Sequence, residues 1–213
     1  MSHTHSDDDI QFTQEFWDDR YNSAGRLWSG QPNAQLVAQA ADLTPGSALD
    51  AGCGEGADAI WLARRGWTVT AVDVSAVALD RAAGAAAAAG EEVARRITWR
   101  RVDLCSWDPA PTRYDLVSAQ YMYLPLAELD ALHGRLEAAV RPGGTLLVVG
   151  HHPDDLHARV SQAGLARSAE DIAASLDRGE WEVTVADGVG RSVEIDGEPV
   201  AVRDTVLRAA RRR

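Results

Sequence analysis

Ala48-Leu49-Asp50-Ala51-Gly52-Cys53-Gly54-Glu55-Gly56 is a short apolar run that ends in a carboxylate and then sets glycines on alternate positions. Glycine in such a loop lets backbone approach a ligand where any Cβ would obstruct it. Farther along, a second apolar run from Thr68 to Val72 ends in Asp73, a carboxylate placed to grip ribose hydroxyls. Strand, glycine turn, helix and a second strand closed by an acid read together as a nucleoside-binding crevice.

Outward from this stretch, apolar runs and helical periods alternate. Strands are expected near 47–51, 68–73, 97–102, 114–119 and 145–150, separated by helices near 57–65, 75–89 and 126–140. That alternation predicts an α/β chain with a doubly wound, mostly parallel sheet covered by helices on both faces. Ser75 is the expected cap of the alanine-rich helix that includes Ala82–Ala89. Before the glycine loop, Thr13 caps a predicted helix carrying Phe16, Trp17 and Tyr21, and Pro32 starts another that Pro45-Gly46 ends. Beyond Pro153 the pattern gives one helix near 169–177. Alternating strands follow over 181–186 and 200–207, joined through Asp196-Gly197-Glu198-Pro199 as a terminal antiparallel hairpin.

The chain of 213 residues, 46% hydrophobic, is enough for one substantial core, and a single domain over 10–213 is expected after a disordered acidic tail at 1–9. A formal charge of -11 disfavours nucleic acid and anionic membrane as partners and favours a small molecule. All 21 basic residues are arginine, which excludes Schiff-base chemistry and a P-loop. Two cysteines without a secretory signal indicate reduced thiols and a cytoplasmic protein, and no apolar stretch approaches the roughly 20 residues that span a bilayer. His3 and His5 stand beside aspartates in a tail expected to fix no coordination geometry, and His157 with His151 and His152 matches no standard metal spacing, so no metal is expected. Oligomeric state stays open between monomer and homodimer.

Gly52, Gly54 and Ala57 also satisfy the dinucleotide pattern G-x-G-x-x-G/A, so a nicotinamide-dependent oxidoreductase is a rival reading. The carboxylates argue against it. Asp50 at the strand end and Glu55 within the loop repel a pyrophosphate and favour a cationic ligand such as an aminoacyl sulfonium. Downstream, Arg101-Val102-Asp103-Leu104 offers an acid for an adenine amino group and an apolar cover for the ring. Cys53 fills a position that calls for a small residue, and no nearby base activates its thiol.

With these pieces in this order, followed by Tyr114-Asp115-Leu116-Val117-Ser118, Gln120-Tyr121 and Arg141-Pro142-Gly143-Gly144, the chain from Leu49 to His152 resembles the class I S-adenosylmethionine (SAM)-dependent methyltransferases. The resemblance implies a Rossmann-like seven-stranded sheet with an antiparallel last strand, SAM as cofactor and S-adenosylhomocysteine as product. It implies that Asp50, Gly52, Cys53 and Gly54 lie under the methionine part, that Asp73 with Val74 holds the ribose, and that Asp103 and Leu104 contact adenine. Gln120 then lies beside the sulfonium. The segment Phe16-Trp17-Asp18-Asp19-Arg20-Tyr21 with Trp28-Ser29-Gly30 is similar to the entry of the branch containing thiopurine and tellurite-resistance methyltransferases. In that branch the N-terminal segment, here 10–46, forms a helical lid, which implies Trp28 against the cofactor and Tyr21 near the acceptor. Tyr121 and Tyr123, past a central strand, are further acceptor-binding candidates, and His151 and His152 are candidate general bases. Ala119-Gln120-Tyr121-Met122 stands where amide methyltransferases of nucleic acid or protein carry Asn/Asp-Pro-Pro-Tyr/Phe. A non-catalytic SAM-binding protein is the remaining alternative.

Overall fold

The computed structural model of the chain describes residues 12–155, 166–195 and 198–213. The acidic tail, His157 and the turn residues Asp196 and Gly197 lie outside the described residues. Seven strands form one sheet: β1 Ser47–Ala51, β2 Thr68–Asp73, β3 Ile97–Arg101, β4 Tyr114–Gln120, β5 Val140–His151, β6 Trp181–Ile195 and β7 Glu198–Arg211. Their order is β3-β2-β1-β4-β5-β7-β6. The first five pair in parallel, and β7 pairs antiparallel with both β5 and β6. The order reverses between β1 and β4, so the crevice above their carboxyl ends is the natural ligand site of such a sheet.

Alternation along the central strands sends side chains to two cores. Leu49, Val117, Leu146, Val148 and Leu207 pack on one face with α6 Leu126–Ala139 and α7 Ala169–Ser175, through Leu129, Leu132, Leu136 and Ile172. Ala48, Leu116, Leu147, Val149 and Val206 pack on the other with α2 Ala34–Ala40 and α3 Ala57–Arg64, through Leu36, Leu62 and the fully buried Trp67. The doubly wound sheet with helices on both faces is therefore the one expected.

Local chemistry sets the ends of the elements. Thr13 caps α1 Gln14–Asn22 by accepting the Phe16 amide, and Ser75 caps α4 Ala76–Ala89 by accepting that of Ala78. The cap of α2 is Asn33 rather than the preceding proline, its Oδ1 accepting the Gln35 amide at 2.8 Å. Gly90 ends α4, and a short helix absent from the sequence reading, α5 Glu91–Arg95, precedes β3. β5 starts earlier than expected because Val140 already pairs with Tyr114 ahead of the Pro142-Gly143-Gly144 turn. The hairpin is far longer than expected, β6 and β7 running 15 and 14 residues. Its half farther from β5 pairs only with itself, from Gly190↔Arg203 outward to Ile195↔Glu198. Among the described residues, no helix is long and apolar enough to cross a membrane.

Gly56 begins α3 at φ +79°, and a Cβ there would meet Trp99 Cη2 at 2.6 Å and Ala82 Cβ at 2.8 Å. Gly56→Ala is expected to lower stability by about 2–4 kcal/mol, the sum of left-handed strain and overpacking. Gly84 in α4 has nothing within 4 Å of a built Cβ, so Gly84→Ala is expected to raise stability by about 0.5–1 kcal/mol. Urea unfolding of both variants checks the pair.

Candidate functional site

The loop after β1 is held by backbone. Val72 O of β2 accepts the amides of Gly52 and Cys53 at 2.8 and 2.9 Å. Gly52 and Gly54 take φ +72° and +50°, a region closed to most residues. A Cβ on Gly52 would meet Met122 Sδ at 2.8 Å, and one on Gly54 would stand 3.0 Å from the Tyr21 hydroxyl. The turn is thus pressed between the segment after β4 and the N-terminal helix, which leaves one exposed lip facing a cavity of about 530 Å³.

Asp73 ties this turn to β2. Its Oδ2 accepts the Gly54 amide at 2.8 Å and its Oδ1 that of Ser75 at 2.9 Å. Burial pushes its carboxyl up, and these amide bonds pull it back. Asp50, on the α3 face of β1 and 1% exposed, is raised well above the usual range by burial and then by Asp58 and Asp73, against a hydrogen bond from the Ala59 amide. Its Oδ2 has no hydrogen-bond partner among the described residues. Asp58, in the first turn of α3, accepts the Asn33 amide at 2.6 Å and is raised to about 6 by burial. Among the described residues none of these three carboxylates makes an ion pair with an arginine or histidine.

The cavity gathers most of the residues proposed from sequence. Gly52, Cys53, Gly54, Asp73, Val74, Asp103, Leu104, Gln120, Trp28, Tyr21, Tyr121, Tyr123 and His151 all line it. Three assignments change. Asp50 lies under the loop and does not line the cavity; Asp58, from the first turn of the next helix, lines it beside Asp73 and Asp103. Glu55 does not face a ligand. Its carboxylate pairs with Arg81 at 3.1 Å and accepts the Leu27 and Trp28 amides, so its charge is spent on the N-terminal segment. His152 also leaves the site: it is buried, its Nδ1 accepts the Asp154 amide at 3.1 Å, and it does not line the cavity. Successive strand residues point to opposite faces, so only one of the two histidines can look inward.

Several cavity residues carried no sequence signal. Asn33 donates from Nδ2 to Gln120 Oε1 at 2.8 Å while Gln120 donates to Ser118 Oγ, which joins the N-terminal segment to β4 across the crevice. Arg81 also donates to the Tyr21 and Ala24 carbonyls, and Ser75 Oγ donates to Asp18 at 2.5 Å. Trp28 Nε1 donates to the Tyr21 hydroxyl at 3.0 Å. Phe12, Trp17 and Tyr123 meet at ring separations of 5.8–6.2 Å, and Tyr123 stands 6.5 Å from His151. The thiol of Cys53 is pushed well up by burial, with Asp50 and Asp73 adding to it, which leaves it a neutral small filler of the turn.

Comparison with known proteins matches residues 48–144 to the methyltransferase domain family. Over that stretch the chain is similar to a methyltransferase domain. An uncharacterized methyltransferase of Mycobacterium tuberculosis is 37% identical over 101 residues, 47% of this chain and 48% of its own. A 2-heptyl-1-hydroxyquinolin-4(1H)-one methyltransferase of Mycobacteroides abscessus is 29% identical over 126 residues, covering 57% of this chain and 54% of that one. The chain thus spans about half the length of these curated relatives. A solved structure concerned with conversion of a disulfide bond into a thioacetal group during echinomycin biosynthesis superposes with a TM-score of 0.73 at 25% identity, over 93% of this chain and 91% of that one. The matched stretch runs from β1 to the turn within β5, and the cavity adds walls from the N-terminal segment and the hairpin outside it.

Two outcomes test this geometry. Asp58 ionises at about 6 in the fold against 3.8 as its ordinary value, so the folded chain keeps a proton through that window that the unfolded chain has lost. The penalty for charging it is absent below about pH 4 and complete above about pH 6. Asp58→Asn is therefore expected to gain stability over the parent as pH rises from about 4 to 7, by on the order of 3 kcal/mol, read by urea unfolding at each pH. Arg81→Met is expected to speed hydrogen exchange at the amides of Leu27 and Trp28 about tenfold or more, since it frees Glu55, while β4 amides stay protected.

Proposed function

We propose that the protein is a SAM-dependent methyltransferase that methylates a small molecule at an O, N, S or chalcogen atom. The observation that carries this reading is a set of carboxylates with no cationic partner among the described residues, around a glycine turn on the lip of the cavity: Asp50 and Asp73, buried, and Asp58, half-buried. Charge buried without a partner is unfavourable. An ammonium and a sulfonium in the crevice relieve it, whereas a pyrophosphate aggravates it, which counts against the nicotinamide reading.

The residues fit the cofactor part by part. Asp73 offers its carboxylate at the ribose position, Asp103 and Leu104 line the side toward β3, and the Gly52–Gly54 backbone with Asp58 and Gln120 surrounds the aminoacyl end. When bound, SAM supplies the electrophilic methyl group. The protein's part is to bring an acceptor atom into line with it and to keep water out. The N-terminal segment, latched by Glu55 and Arg81 and clasped by Asn33, serves as the lid. Trp17, Tyr21 and Trp28 give it aromatic faces toward a sulfonium. His151 is placed to take the proton of a hydroxyl or amine acceptor, a thiolate needing no such base. The two free cysteines, Cys53 and Cys105, support work in a reducing, cytoplasmic setting.

The test couples binding to turnover. S-adenosylhomocysteine is expected to raise the melting temperature of the parent, with a shift that shrinks sharply in Asp73→Ala. Methyl-labelled SAM is expected to give labelled product from a panel of phenols, amines, thiols and chalcogen oxyanions. A shift with NAD and none with S-adenosylhomocysteine overturns the reading. Binding with no transfer to any acceptor leaves a SAM-binding protein without the activity.

A further inference from the structure

The cavity has a second end. Its cofactor-facing residues come from β1, β2 and the segment after β3, whereas Arg191 reaches it from β6, at the opposite edge of the sheet. Arg191 sits in the half of the hairpin that overhangs β5, paired with Val202. Its Nε donates to Asp204 at 2.5 Å, and its Nη2 donates to the Tyr121 hydroxyl at 3.1 Å. Asp204 is completely buried, while about a third of the Arg191 side chain is exposed. The ion pair is therefore a dipole with its positive end toward the cavity.

Tyr121 stands at φ +48°, the sole non-glycine residue with positive φ among the described residues. A tyrosine held in that region is strained and persists because its surroundings fix it. Its ring lies 4.8 Å from that of His151 and 5.9 Å from the Arg191 guanidinium. Burial and the Asp204 charge raise its hydroxyl, so it stays protonated at neutral pH. Next to this polar corner stand the flat walls of Phe12, Trp17 and Tyr123.

Resting on the methyltransferase reading above, we propose that Arg191 and Tyr121 form the acceptor subsite, and that the acceptor is a flat aromatic molecule whose phenol-type hydroxyl binds as the oxyanion. The aromatic walls suit a planar ring. The edge of Arg191 carrying Nε and Nη2, which a carboxylate takes in a side-on two-point grip, is already given to Asp204 and Tyr121, so a single oxygen is the better match. On entering the subsite the acceptor O–H gives its proton to His151 and thence to water, which leaves the bound oxyanion. The oxyanion then forms the new O–C bond as the S–CH₃ bond breaks with its electron pair staying on sulfur.

The test uses 4-nitrophenol at a pH where it is ionised, with 4-nitroanisole as its neutral counterpart, titrated into the full chain in the presence of S-adenosylhomocysteine. The parent is expected to prefer the phenolate by about tenfold or more, as a charge-assisted hydrogen bond in a partly buried site allows. Arg191→Met is expected to lose that preference and keep its affinity for 4-nitroanisole. Arg191→Lys should keep part of it, and Tyr121→Phe should weaken it severalfold. These two variants carry the test if Arg191→Met does not fold. No preference in the parent, or one unchanged in the folded variants, overturns the subsite. A thermal shift with S-adenosylhomocysteine but no phenolate preference overturns the subsite alone, and phenolate preference without that shift overturns the methyltransferase reading alone.

Discussion

The carboxylate of Asp73 is the joint on which the site depends. One oxygen accepts the amide of Gly54 in the turn after β1, and the other accepts the amide of Ser75 ahead of α4. Two charge-assisted bonds from buried backbone amides contribute about 1.5–3 kcal/mol each, and losing them leaves donors unsatisfied. They fix the height of the glycine turn above the sheet. They also set the start of α4, whose cap Ser75 then reaches Asp18 of α1. Through that one side chain the second strand, the turn and the N-terminal segment share a common position.

The parts of this arrangement that were legible in sequence are those made by backbone. Glycines at alternate positions, an acid closing the next strand and a proline-glycine turn before the fifth each answer a steric or hydrogen-bonding demand that leaves little choice of residue. Direction was harder to read. Glu55 stands in the loop among ligand-facing residues, yet it turns outward because Arg81, a turn into α4, and two free amides of the N-terminal segment stand there to meet it. The position of Asp50 was hidden for a similar reason. Asp50 shares the parity of Ala48, which packs on the α3 face, and so it is drawn beneath the helix rather than into the cavity.

The hairpin hid its length because its outer half lacks the pattern that announces a strand. Asp187-Gly188-Val189-Gly190 interrupts the alternation, and of these four only Val189 packs against a core, half-buried. Pairing with β7 alone is enough to hold them, since every second pair along a long antiparallel ladder exchanges two backbone hydrogen bonds. An element with few apolar contacts gives few apolar residues to read, and Arg191 sits within it.

The sheet order then explains why the side proposed for the cofactor is legible and the side proposed for the acceptor is not. Strands β1, β2 and β3 meet at one flank of the reversal between β1 and β4, and their ends are tied to one another by main-chain bonds and one carboxylate. The opposite flank is assembled from four places distant in sequence: the helix α1 region, the segment after β4, the end of β5 and the overhang of β6. What joins them is side-chain contact, Arg191 to Tyr121, Tyr121 to His151 and Tyr123 to Trp17. Any one of these residues can change without disturbing the turn that Asp73 holds. Variation in acceptor therefore costs the fold little, because the cofactor half keeps its own supports.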